Sequence, residues 1–339
     1  MRNGLVAIAA AALVAGAAHA QSVEDFYHGR TVTVLVGFSP GGAYDGSARL
    51  LAQHMGKYIP GRPSFVVQNM PGAGTLNLVN HLYNVAPKDG TVFGIFARGM
   101  AMEPLIGNSD TRFDATKLTW IGSTTNEVSL CATYGTSPVK TWQDTLTKDF
   151  VVAGNGSGSD PDVFANVLRH LFGQKNRLIT GFPGSAEISL AMERGEVDGR
   201  CGWSWSSVKA EKPDWLRDHK LNLIVQLALT KADDLPGVPL ITDLAKSDSQ
   251  RQILKLIFGR QTMGRPFAAP PGLPADRRQA LRIAFDRTVK DADFLAEAGK
   301  RKLEINPVSG ADIDSLIADI YSTPKDVVAE ARAATEGTK

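Results

Sequence analysis

One pattern occurs twice along the chain: an apolar, β-branched run, then a glycine turn, then an amphipathic stretch of helical period. Residues 31–37 (TVTVLVG) form the first run, Gly41-Gly42 the turn, and 43–58 the helix, which Pro60-Gly61 stops. A strand signal at 65–68, a turn at Pro71-Gly72-Ala73-Gly74, a helix over 75–85 and a strand at 91–96 extend the series. A second series has strand signals at 120–122, 128–133 and 150–153. A polar glycine loop at 154–159, a helix over 160–172, a strand at 178–180, a helix over 185–194 and a strand at 197–202 complete it. Strands alternating with helices at this spacing predict α/β architecture with helices on both faces of each sheet. The expected fold is two doubly wound α/β lobes joined by a hinge, with a ligand cleft between them. The first lobe should hold residues 21–124 and 228–339, and the second 125–227. Hinge crossings are expected near 121–128 and 225–230, and the tail after Ser249 reads as mainly helical.

The N-terminus predicts export. Met1-Arg2-Asn3 is a short positive start, residues 4–17 are small and apolar, and Ala18-His19-Ala20 is an A-x-A cleavage site. Removal of 20 residues from 339 leaves 319, enough for two domains. Cleavage also removes Arg2, so the 37 basic residues become 36 against 35 acids. That balance offers no basic stripe for nucleic acid and no polybasic membrane anchor. Cys131 and Cys201 are the two cysteines. In an oxidising compartment they are expected to pair. Closing 70 residues would stabilise by roughly 4 kcal/mol in the chain-entropy picture.

Enzymatic motifs fail on inspection. Gly37-Phe38-Ser39-Pro40-Gly41 matches the nucleophile elbow G-x-S-x-G. The residue after the serine must donate its N–H to an oxyanion, and Pro40 has none. A dinucleotide fingerprint starting at Gly154 would need glycine at 159, where Ser159 stands, and no Walker lysine pattern exists. His28, His54, His81, His170 and His219 show no pair at metal spacing, and Cys-x-x-Cys is absent. No cofactor or metal is expected.

Helix N-termini carry unpaired N–H groups and partial positive charge, and glycine lets an anion approach them. The loops Gly37–Asp45 and Gly154–Asp160 both lie between a strand and a helix. Together they could grip one carboxylate from opposite sides. Amides of Gly41, Gly42, Ala43, Ser157, Gly158 and Ser159 are expected to face one cleft, with Tyr44 lining it. Arg98, after the third strand, and Arg200, beside Trp203, are the candidate charged partners, and Trp203 could stack on a flat ligand.

The segments Val36–Asp45, Ala48–Ala52, Val67–Gly74, Ala86–Thr91, Gly154–Ser159 and Gly195–Asp198 resemble the motifs of tripartite tricarboxylate transporter substrate-binding proteins, the Bug proteins. The resemblance extends over essentially the whole mature chain. It implies a periplasmic-binding-protein-like fold and a small organic carboxylate held by loop amides and ordered waters. It also implies delivery to a permease of one large and one small membrane subunit, by a monomeric receptor in the periplasm. By this resemblance the ligand site includes Phe38, Ser39, Asp45, Gly72, Ala73, Phe182 and Gly184 besides the residues above. Three places depart from the family pattern: Ser159-Asp160-Pro161-Asp162 where histidine is common, Phe182-Pro183-Gly184, and Ala97-Arg98-Gly99. A sensing subunit for a membrane kinase is the alternative with the same pocket, and a secreted hydrolase the alternative of a different class.

Overall fold

The structure of the chain, a computed structural model, describes residues 21–106, 110–156 and 158–336. The expected signal peptide and Ser157 lie outside them. The first sheet contains β1 (Thr31–Val36), β2 (Ser64–Asn69), β3 (Val92–Ile95), β4 (Thr119–Ser123), β10 (Pro266–Ala269) and β11 (Val308–Ser309), in the order β11-β4-β10-β3-β1-β2. The second contains β5 (Ser129–Tyr134), β6 (Phe150–Ala153), β7 (Asn176–Ile179), β8 (Gly199–Ser204) and β9 (Leu221–Leu227), in the order β7-β6-β8-β5-β9. Each sheet is mixed. β1 runs parallel to β2 and β3, and β6 parallel to β7 and β8. β10 is antiparallel to β3 and β4, and β5 antiparallel to β8 and β9.

Side-chain alternation explains why β1 is central. Val32, Val34 and Val36 point to one face and pack with Leu50, Leu51, Leu281 and Phe285 from two covering helices. Leu35 points to the other face and joins Leu78, Val79 and Leu82. Each such side chain, removed from water, stabilises the fold by about 1.5–3 kcal/mol. Both faces therefore need helical cover, and the helices Ala43–Met55, Leu76–Asn84 and Ala275–Thr288 supply it.

The chain passes from β4 to β5 through residues 124–128. The return differs from the expected crossing near 225–230. β9 stays paired to β5 through Leu227, and Leu240 then bridges Gln226. The next strand of the first sheet is β10, a four-residue buried strand whose shortness hid it in the sequence. The two crossings run side by side: Gly264 N–H donates to the Thr125 carbonyl at 2.7 Å, and Glu127 N–H to the Gln261 carbonyl at 2.9 Å. The last helix, Lys325–Thr335, packs on the helix Asp160–Phe172, and Asn166 Nδ2 donates to the Thr335 carbonyl at 2.8 Å.

Cys131 and Cys201 face each other on β5 and β8 and form a disulfide, with Cα atoms 3.7 Å apart. Among the described residues no helix is long and apolar enough to cross a membrane.

Candidate functional site

Parallel strands of an α/β sheet leave a crevice outside their C-terminal ends, where loops from neighbouring strands diverge. The loops after β1, β3 and β6, together with β8, meet in this way. They enclose a cavity of about 50 Å³, against roughly 10–15 Å³ for a single water on the same measure. From the first sheet's side come Phe38, Ser39, Gly42, Ala43, Tyr44 and Arg98. From the second come Ser159, Gly184, Arg200 and Trp203. Gly72, Ala73 and Phe182 line an adjoining groove that shares Phe38.

Several amides at the two helix N-termini are satisfied from within the chain. Gly41 N–H donates to Asp45 Oδ2 at 3.0 Å, and Ala43 N–H donates to Glu211 Oε1 at 2.9 Å. Burial works against ionised Asp45, but bonds from Arg49, Gly41 and Asn69 prevail and its pKa falls. Ser159 N–H donates to the Gly156 carbonyl at 3.1 Å. Asp162 accepts from Gly156 N–H and Ser159 Oγ, both at 2.9 Å, and from the Thr180 hydroxyl. Burial raises the Asp162 pKa despite these donors.

The two arginines differ sharply. Arg98 is 2 % exposed and spends its guanidinium on protein groups. It donates to Asp160 Oδ2 at 2.6 Å, to the Gly264 carbonyl at 3.1 Å, to Ser129 Oγ at 2.8 Å and to Ser204 Oγ at 3.1 Å. Burial opposes its charge, yet Asp160 together with Tyr44 and Glu127 outweighs burial and holds the pKa above the ordinary value. Arg200 is 5 % exposed and donates only to Ser185 Oγ, at 3.1 Å. Its Nε has no partner, and no carboxylate among the described residues lies within ion-pair distance. Burial pushes its pKa down to about 10, so it stays charged at neutral pH. Its guanidinium carbon sits 5.2 Å from the Trp203 ring centre.

Aromatic rings form part of the remaining wall, beside Asn155, Ser185, Ser204 and Ser207. The Phe38 and Tyr44 rings are 4.7 Å apart, and the Tyr44 hydroxyl donates to the Gly264 carbonyl at 3.0 Å. Ser39 Oγ donates to Glu187 Oε2 at 3.3 Å, and no histidine among the described residues bonds it. No group of three or more His, Cys, Asp or Glu suited to a metal ion occurs among the described residues.

Sequence reasoning missed Asp160, Ser185 and Glu211. Asp160 had a signal, an acid at the first turn of a helix that opens beside a glycine loop. Glu211 had none, because its contact with Ala43 spans 168 residues.

Several glycines let the two sides approach. A Cβ on Gly99 would lie 2.0 Å from the Gly158 carbonyl oxygen and 2.3 Å from Arg260 Nη1. One on Gly156, whose φ is +130°, would lie 2.5 Å from Gly74 N. Gly99→Ala is therefore expected to penalise this closed arrangement by about 1–3 kcal/mol. Calorimetry should show correspondingly weaker ligand binding, and native affinity in the variant would refute a closed bound state of this shape.

No protein-family profile matches the sequence, and no curated protein matches it. Solved structures do. The periplasmic binding protein BugD is 18% identical with a TM-score of 0.71, over 89% of this chain and 97% of that one. The fold is that of the periplasmic binding proteins. MatC from Rhodopseudomonas palustris, with bound malate, is 22% identical with a TM-score of 0.69, over 88% of this chain and 99% of that one. R. palustris Rpa4515, with adipate, is 17% identical with a TM-score of 0.69, over 89% and 97%.

Proposed function

We propose that this chain is an exported solute-binding receptor that captures a small organic carboxylate between its two lobes. The observation that carries this reading is Arg200. A buried guanidinium without a carboxylate is costly to keep, and one set in a cavity between two lobes is a binding group for an anion. Arg98 and Asp160, paired across the cavity, then act in closure, and Trp203 with Phe38 and Tyr44 packs on the ligand body. The lobes, divided near residue 124 and again beyond Leu240, would close as the ligand bridges them. Malate in MatC and adipate in Rpa4515 are consistent with an acid as cargo. The segment 1–20 supports export to the periplasm, and the sequence motifs support delivery to a two-subunit permease. Pro40, which has no N–H to offer an oxyanion after Ser39, supports a role without catalysis.

A thermal-shift screen of carboxylates tests the reading. A ligand at 100 times its dissociation constant that binds only the folded state should add about 2.7 kcal/mol. A broad carboxylate panel that leaves the melting temperature unchanged would reject it.

A further inference from the structure

The charges around the cavity set a limit on the cargo that the receptor reading alone does not. Arg98 is matched by Asp160 at 2.6 Å, and Arg260 lies 3.6 Å from the same carboxylate. Arg265, 2 % exposed, is matched by Glu127 at 3.5 Å and also donates to Ser206 and Ser207. Arg200 is the cation of this set left without a carboxylate within ion-pair distance. On the first lobe the amides of Gly41 and Ala43 are occupied by Asp45 and Glu211.

Three carboxylates stand in or beside the cavity where a second ligand carboxylate would have to lie. Asp160 lines the cavity, and its Oδ1 has no hydrogen-bond donor. Glu211 ends the helix Trp205–Glu211 and reaches the first lobe at Ala43, itself a lining residue. Glu187 reaches Ser39 at the same rim. A second anionic group would meet these carboxylates in a site where water screens little. Phe38, Tyr44 and Trp203 form the aromatic part of the wall, beside the neutral polar Asn155, Ser185, Ser204 and Ser207, and the space is small.

We propose, resting on the receptor reading, that the cavity selects a compact monocarboxylate. Arg200 takes its one carboxylate, the aromatic wall takes its body, and Glu211 with Asp160 rejects a second carboxylate.

Titration calorimetry at neutral pH tests this with benzoate and lactate as single-carboxylate probes and malate and adipate as double ones. At least one of the first pair should bind the native protein tenfold or more tightly than both of the second. Glu211→Gln, its folding checked by circular dichroism, should narrow the preference for a monocarboxylate over malate or adipate at least tenfold. Malate or adipate binding the native protein as tightly as benzoate and lactate overturns the charge limit and leaves the carboxylate receptor standing. Silence from all four probes overturns the inference as well, and the wider carboxylate screen then decides whether the receptor reading falls with it.

Discussion

Arg200→Met should weaken carboxylate binding by about 2–5 kcal/mol, the range for truncating one partner of a buried charge pair. That corresponds to roughly 30- to 4000-fold in affinity. The ligand-free protein should behave in the opposite sense and melt at the same temperature or higher. The sign follows from Arg200's protonation. Its folded pKa of about 10 lies below the ordinary arginine value, because burial disfavours the charge. A cation depressed in this way costs folding stability at every pH below its folded pKa. Relief comes only as pH climbs above about 10 toward the ordinary arginine value, where the unfolded chain binds more protons. At neutral pH the native protein bears the full cost, and methionine of similar length removes it. A bound carboxylate removes it too, which links the group's poor fit in the empty receptor to affinity in the loaded one. Binding assays and melting curves on the same variant therefore have to move apart. A variant that loses stability and keeps its ligand would place Arg200 in the core packing and not in the binding site.

The legible part of this molecule was its local pattern. β1 was readable because TVTVLVG is β-branched and buried on both faces, and the helix Asp160–Phe172 because a glycine loop and Pro161 announce its start. The pairing of Cys131 with Cys201 followed from export, with strand register bringing them face to face. What the sequence hid was everything set by register between distant segments. β10 is four residues among helical signals, and only its neighbours β3 and β4 make it a strand. Arg98 and Arg200 look alike in sequence, each near the end of a strand. Asp160, 62 residues from Arg98, neutralises one of them. The other has no such partner. The amide cradles were legible as glycine loops, but their occupants, Asp45 and Glu211, were not. An amide can be read from one segment, while its acceptor depends on which side chain the fold delivers.

Asp160→Asn should be the most damaging single change in the site, at about 3–5 kcal/mol of folding stability. The carboxylate sits 2.6 Å from Arg98 and 3.6 Å from Arg260, and those side chains are 2 % and 0 % exposed. Asparagine keeps the shape and one acceptor, so the loss isolates charge from packing. Two buried guanidiniums would then share a site that has lost its nearest carboxylate, each already resisted by burial. Adding Arg98→Met to Asp160→Asn should recover a good part of the loss, because the second change removes one of the stranded charges. A simple packing defect would instead worsen with the second substitution. The pair also joins the loop after β3 to the helix after β6, one from each sheet, so its loss should shift the ligand-free protein toward an open form. Small-angle scattering should then give a larger radius of gyration for Asp160→Asn than for the native chain. Chemical denaturation showing a cost under about 1 kcal/mol, with no change in size, would mean that Asp160 and Arg98 are apart in solution. In that case closure would depend on the ligand alone.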